Sequence, residues 1–397
     1  MIRCIKCEQV HAITKSGVVH GRQRYYCKDC GIYFSLPPTG SDQSSSPSGG
    51  QSTTSTGHHS ATILDIARAL NISKSTVSRA LQGHKDIKEE TRVAVLEMAN
   101  QLDYQPNLLA KSLVRSKTFT IGIIVPEFMN SFFPTVIIGA QEVAGKAGYT
   151  VMICQSQESV TTEIANTRAL LASRVDGVLI SMTRETEDFE HFRVFGRHGI
   201  PVVFFNRVCE SIDASRVYVN DYEGAFSAVE HLIQKGYRRI AHLGGPPNLQ
   251  LSQNRLNGYT DALQQYGLPV QPELIVPYDL QPENAKLCVA QLLDLPTPPD
   301  AIFCLNDPAA IQTLLLAKER GIHVPGELGI VGFSDDPISS IIDPHLTTVR
   351  QPVRDMGKIA MQLLLDQVEK GMGNYVAGNT TLPTHLVVRE SSAGPHA

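Results

Sequence analysis

Between Thr62 and Gln82 the apolar positions recur three and four residues apart. Ile63, Ile66, Ala67 and Leu70 fall on one face of a first short helix. Thr62 is placed to cap it, with Asp65 as the acidic half of a capping box. Asn71-Ile72-Ser73 interrupts the pattern, and Ser73 can cap a second helix from Lys74, with Val77, Ala80 and Leu81 inward. Lys74, Ser75, Ser78 and Arg79 are left on the outer face. Two short helices at a sharp turn predict a helix-turn-helix, although a helical hairpin with a solvated face has the same pattern. A third helix is expected from Glu89 to Leu102. From Thr120 the pattern changes to apolar runs separated by amphipathic helices. TIGIIV (120–125), YTVMIC (149–154), VDGVLIS (175–181) and PVVFF (201–205) form one strand-like series. RIAHLG (239–244), DAIFCL (300–305) and LGIVGF (328–333) form a second. Such alternation predicts parallel sheets with right-handed crossovers, and two series predict two similar lobes. A last helix is expected over about 353–370, followed by a strand-like LPTHLVVR.

The first 36 residues follow neither period. Cys4, Cys7, Cys27 and Cys30 are spaced C-x2-C-x19-C-x2-C, two knuckles that suit a tetrahedral Zn2+ of structural type. A redox dithiol pair is the alternative. Short strands are expected at 17–19, 23–26 and 32–34, and so few apolar residues require metal to fold. Residues 37–60 are Ser, Thr, Gly, Pro and Gln with almost nothing apolar, which predicts a flexible linker with His58 and His59 incidental in it. Its 24 residues would span roughly 25–30 Å as a coil.

Composition adds three bounds. The 397 residues exceed one hydrophobic core, and 42% hydrophobic with 19% charged is ordinary for a soluble protein. Without a run of about 18 apolar residues or a signal-peptide core, a cytoplasmic location without a membrane partner is expected. The net charge of -4 is unevenly placed: residues 1–36 carry +4 and 61–117 carry +3, against -10 in 118–397. Phosphate-binding surface therefore belongs to the first third of the chain. Cys154, Cys209, Cys288 and Cys304 are scattered in apolar contexts and are read as buried thiols.

STVSRAL, then EETR, then DYQPNLLAKSL, in that order and spacing, closely resemble the DNA-binding head and hinge of the lac-repressor (LacI) family, and the likeness extends over about 61–390. It implies a head at 61–106, a hinge helix at 107–117 and a two-lobed periplasmic-binding-protein-like α/β core at 118–390 for effector binding and dimerisation. GRQRYYCKDCGIYF resembles the zinc-binding module of some insertion-sequence transposases, which implies a nucleic-acid-binding accessory with Arg22, Arg24, Tyr25 and Lys28 as contacts. A structural or protein-binding ribbon is the alternative. The expected fold is thus a Cys4 zinc ribbon, an all-α head with a hinge helix, and the two-lobed core.

The second helix of such a head enters the major groove by its N-terminal end. Lys74 and Arg79 are the expected base readers, with Ser75 beside them. Ser73, Thr76 and Ser78 are placed for phosphates. Pro106 stops the third helix and Asn107 can cap the hinge, where the resemblance makes Leu113 a minor-groove wedge; simple packing is the other reading of Leu113. Lys88 stands where the family usually has a capping Ser, and Asp86 is the expected substitute. Ligands of parallel sheets bind beyond the carboxyl ends of strands. That rule selects Phe128, Asn130, Phe132, Phe133, Asn206 and Arg207 in one lobe, and Arg255, Asn306, Asp307, Ser334 and Asp335 in the other. Aromatic faces and amides suit a small sugar or sugar derivative. Asn206 and Ser334, where sugar-sensing relatives often have Asp, leave Arg255 less balanced and point to an effector with negative charge. No nucleophile, Walker or zinc-protease motif is present, so no catalysis is expected. The tail SSAGPHA has no leucine heptads, so a homodimer is expected. The leading reading is an effector-controlled transcriptional regulator, more often repressor than activator. The alternatives are a transposition or recombination accessory built on the ribbon, and a sugar transport-binding protein, which the DNA head opposes.

Overall fold

The computed structural model describes residues 13–19, 22–30, 33–35, 61–104, 117–371 and 376–395. Cys4, Cys7, the linker at 37–60, and the hinge with Asn107 and Leu113 lie outside the described residues. The chain divides into two units, 1–105 and 106–397.

Near the N-terminus β1 (Ile13–Val19), β2 (Arg22–Cys27) and β3 (Tyr33–Ser35) form an antiparallel meander in sequence order. Its first strand begins at Ile13, ahead of the expected 17–19, and its register shifts between Lys15 and Val18. Cys27 ends β2 and is buried, and the turn after it leads to Cys30.

The head has α1 (Ile63–Leu70), α2 (Lys74–Leu81) and α3 (Glu89–Gln101), packed around Ile66, Val77 and Val95. The Thr62 N–H donates to Asp65 Oδ2 at 2.8 Å, completing the expected box. Asn71 ends α1 in the left-handed region with φ 52°, which Asn tolerates better than a branched residue. Ser73 Oγ accepts from the Thr76 N–H at 3.0 Å and opens α2. One expectation fails here. Lys88 caps α3 without a side-chain bond, and Asp86 pairs with Arg79 instead. The first-turn acids Glu89 and Glu90 still complement the end of the helix dipole.

In the second unit the first lobe is built from β4 (Thr120–Val125), α4 (Phe132–Lys146), β5 (Thr150–Gln155), α5 (Val160–Ala172), β6 (Gly177–Ile180), α6 (Glu190–Arg197), β7 (Val202–Phe205) and β8 (Ser215–Val219). The second lobe contains α7 (Asp221–Gln234), β9 (Ile240–Gly244), α8 (Gln250–Gln265), β10 (Ile275–Pro277), α9 (Pro282–Leu293), β11 (Ala301–Cys304), α10 (Asp307–Glu319), β12 (Gly329–Ser334) and β13 (Thr347–Arg350). Then α11 (Val353–Lys370) returns to pack on α4, β14 (Asn379–Leu382) joins the first sheet, and β15 (His385–Val387) joins the second. The sheet orders are β14-β8-β7-β6-β4-β5 and β10-β9-β11-β12-β13-β15, parallel except for β13 with β15. The chain therefore passes between lobes near Asn220, at Gln351-Pro352 and at Pro383-Thr384.

The seven strands of the two series are present within a residue or two of their expected bounds. The omitted ones have identifiable physics. β13 is Thr347-Thr348-Val349-Arg350, whose buried hydroxyls find partners inside the fold and so carry no apolar signature. β10 has only three residues and lies at a sheet edge. β8 alternates buried and half-buried residues over a single short run.

Candidate functional site: a cleft between two lobes and a helix-turn-helix

Strand ends of both sheets converge on a cleft between the lobes. Of the residues expected there, Asn130, Phe132, Phe133, Asn206, Arg207, Arg255, Asn306 and Ser334 line it. Asn206 and Ser334 end their strands with φ of 57° and 137°, a conformation that non-glycine residues hold only under constraint from their surroundings. Phe132 and Phe133 open α4 with their rings edge to face, centroids 5.1 Å apart. Phe133 also packs edge-on against Phe205 in the core, which holds the aromatic floor rigid.

Both arginines arrive already neutralised. Arg255 is buried on α8, where its Nε donates to Asp221 Oδ1 at 2.8 Å and its guanidinium stacks 3.6 Å above Phe333. Burial pushes the Asp221 carboxyl up, against the opposing pull of Arg255. Arg207 donates from Nη1 to both Glu158 oxygens, at 2.8 and 2.9 Å. Two carboxylates that sequence reasoning missed, Glu127 and Asp336, line the cleft as well. An anionic effector would meet paired guanidinium groups and two carboxylates, so that expectation is withdrawn.

Three expected residues stand elsewhere. Phe128 is 40% exposed and outside the cleft lining. Asp335 turns away to Arg389, at 2.6 Å, and to Arg350, also at 2.6 Å. Asp307 is fully buried behind the cleft, where it accepts from Thr348 Oγ1 (2.5 Å), the Asp336 N–H (2.7 Å) and Ser339 Oγ (2.9 Å). It positions the loop that carries Asp336. Gln351 was also missed, because it follows the unforeseen β13. Its Nε2 donates to Ser334 Oγ at 3.0 Å, while its buried Oε1 has no hydrogen-bond partner among the described residues. That leaves an acceptor for a ligand hydroxyl.

Burial pushes the Asp307 carboxyl up to about 6, above the 3.8 of a free side chain. A raised carboxyl stabilises the fold at low pH, and the contribution disappears as pH climbs through the folded value. Between pH 4 and 6 the wild type should lose up to about 3 kcal/mol from this group. Asp307→Asn should remove that slope in urea titrations taken across the range, and parallel curves for the two proteins would contradict it.

The lobes also touch directly. Ser131 Oγ donates to Asp336 Oδ2 at 2.6 Å across the cleft. Elsewhere along the same seam, Asn248 Nδ2 donates to the Arg184 carbonyl at 2.6 Å, and Arg184 lies 3.7 Å from Asp279. These contacts hold the lobes together and are the groups that a change in closure must alter.

In the head, Lys74, Ser75, Thr76, Ser78 and Arg79 sit on α2 with Ser73 at its cap. Ser73 Oγ also contacts Ser75 Oγ at 2.7 Å and Thr76 Oγ1 at 2.8 Å, a hydroxyl cluster over the helix N-terminus. Such an end, positive by its free N–H groups, is suited to phosphate. Arg79 is half exposed and paired with Asp86, so reading a base requires exchanging that partner.

Comparison with known proteins agrees with this geometry. The model for bacterial regulatory proteins of the lacI family matches residues 62–107, and that for a periplasmic binding protein-like domain matches 229–392. The HTH-type transcriptional repressor CytR of Escherichia coli strain K12 is 33% identical over 333 residues, 84% of this chain and 96% of the relative. Catabolite control protein A of Priestia megaterium is 33% identical over 310 residues, covering 78% of this chain and 93% of that one. Among solved structures, the lac repressor dimer bound to operator and the anti-inducer ONPF superposes with a TM-score of 0.75 at 25% identity, over 85% of this chain and 99% of the other. The transcriptional regulator CelR–cellobiose complex superposes with a TM-score of 0.65 at 26% identity, over 83% and 99%. With a helix-turn-helix head, a two-lobed core and relatives that match along nearly their whole length, the chain belongs to the LacI family of bacterial transcriptional regulators.

Proposed function

We propose that this regulator represses transcription by binding operator DNA through α2 and is controlled by a neutral, hydroxyl-rich ring compound in the cleft. One observation carries the effector reading: the cleft offers an aromatic floor, amides and the free Gln351 acceptor, while its arginines are internally paired. Sugar rings are recognised by this combination of apolar face and hydroxyl partners. Relatives described with cellobiose or ribose bound support the class of compound. A homodimer is the working assembly, supported by the dimeric lac repressor structure. Among the described residues no helix is long and apolar enough to cross a membrane. The test is selection of bound DNA from a genomic library, repeated with neutral sugars, nucleosides and sugar acids. Release by a neutral ring compound is expected. Release by sugar acids alone would overturn the effector class, and the absence of any selected sequence would overturn the repressor.

The N-terminal module is read as a Cys4 zinc ribbon. The meander fits it, since Cys27 and Cys30 flank a turn at the end of β2, as a metal knuckle requires. Cys4 and Cys7 would complete four thiolates, and Zn2+ would supply the folding energy that the small module lacks. With +4 over residues 1–36, the ribbon would add phosphate contacts beside the head. Removal of residues 1–60 should weaken operator binding and flatten its log–log salt slope by about 2–4 units, leaving the selected sequence unchanged. An unchanged slope would move the ribbon to a protein partner, and a changed sequence would mean that it reads bases.

A further inference from the structure

His242 lies in β9 on the face of the second sheet toward α8, wholly buried between two rings. Phe303 stacks on it at 5.0 Å and 14°, and Tyr259 at 5.2 Å and 25°. Its Nδ1 faces the Phe303 carbonyl at 3.1 Å. A carbonyl can only accept, so Nδ1 carries the proton and Nε2 of the neutral ring is an acceptor. Burial pushes the imidazole down to about 4, which keeps it neutral. Among the described residues Nε2 nevertheless has no hydrogen-bond partner, and neither does the Oγ of Ser252, a residue only 4% exposed. Both residues line one pocket of about 150 Å³ between α8 and the β9–β10 edge, walled by Leu256, Ile275 and Pro277. Gly244 keeps the approach to the ring open, since a Cβ there would sit 3.2 Å from Nε2.

Leaving two buried polar atoms unmatched is unfavourable, and the pocket that both residues line gives an occupant room beside them. We propose that this cavity is a second small-molecule site. It takes a neutral compound that presents one hydroxyl or amide N–H to His242 Nε2, with a small apolar body against Leu256, Ile275 and Pro277. The site is distinct from the cleft yet shares a helix with it. Leu251 and Arg255 of α8 line the cleft, whereas Ser252 and Leu256 line this cavity. An occupant that shifts the first turns of α8 therefore moves Arg255 and changes effector affinity, a coupling between sites.

Phenol is a suitable probe, with one O–H donor on an apolar ring. Titrated into the full-length protein, it is expected to bind with a Kd on the order of 1 mM and to move the His242 Nε2 resonance into the hydrogen-bonded range. Ile275→Phe, which fills the wall, should weaken binding at least tenfold. Ser252→Ala, which removes a hydroxyl without a partner and so should fold normally, should weaken it several-fold. Phe132→Ala, in the cleft, should leave the phenol affinity unchanged, so the result does not depend on the effector assignment. The proposal is overturned if neither cavity variant alters phenol binding. It is equally overturned if crystals soaked in phenol show only ordered water on Nε2 and Oγ.

Discussion

Arg255→Ala should destabilise the second unit by about 3–5 kcal/mol, because it strands the buried Asp221 carboxylate without its partner. The two side chains are 4% and 5% exposed and 2.6 Å apart at Nη2 and Oδ1. Asp221→Ala should be similarly costly, since it leaves a guanidinium inside the protein with the neutral Leu305 carbonyl and Phe333 ring beside it but without its carboxylate. The double variant Arg255→Met with Asp221→Leu removes both charges and keeps the volume, so most of the loss should be recovered. Urea denaturation of the four proteins shows whether removing both charges restores what either single change loses. Additive single losses, with no recovery in the double variant, would show that the ion pair is not the cause. Effector response separates a second role. Arg255 lines the cleft, so the double variant should still bind operator but fail to release it with any ligand that relieves the wild type. A regulator that folds, binds DNA and no longer responds is the expected phenotype.

Gly357→Ala should destabilise by about 3 kcal/mol even though it replaces the poorest ordinary helix former with the best. In an isolated helix the exchange would favour Ala by about 1 kcal/mol. In this fold α11 crosses α4 at backbone contact. A Cβ at Gly357 would lie 1.9 Å from the Val136 carbonyl oxygen, and one at Gly139 would lie 2.0 Å from that of Arg354. No side chain can swing aside, because the obstacles are backbone, so the helices must separate and open the packing around Val136, Ala140 and Ala360. Gly145, further along α4, faces open space and is the control: Gly145→Ala should be neutral or stabilising. Thermal unfolding of the wild type and the two variants decides the matter. Equal melting temperatures for Gly357→Ala and Gly145→Ala would mean that the crossing is looser than described.

Local pattern determined the elements whose chemistry is complete within a few residues. The head was legible because capping residues, turn residues and a three-residue core all lie within 61–104, where neighbours in sequence are neighbours in space. Strands such as Ile121–Val125 were legible because burial on both faces requires an apolar residue at nearly every position. Most cleft residues followed from one topological rule, that parallel strands present their carboxyl ends to the ligand. Tertiary structure decided everything that depends on a distant partner. Nothing near Arg255 in the sequence announces Asp221, 34 residues earlier, so its charge looked available when it was already bound. Asp307 and Asp335 occupy strand ends as expected, but partners from β13 and the C-terminal segment turn them away from the ligand. Gln351 entered the cleft behind a strand that hides its burial in threonine hydroxyls, and Asp336 on a loop whose backbone N–H donates to the buried Asp307. The two glycines of the α4–α11 crossing read as defects along the chain. They become necessary only when a helix from beyond residue 350 returns to the first lobe, because pattern along a chain records which face is buried and not what is packed against it.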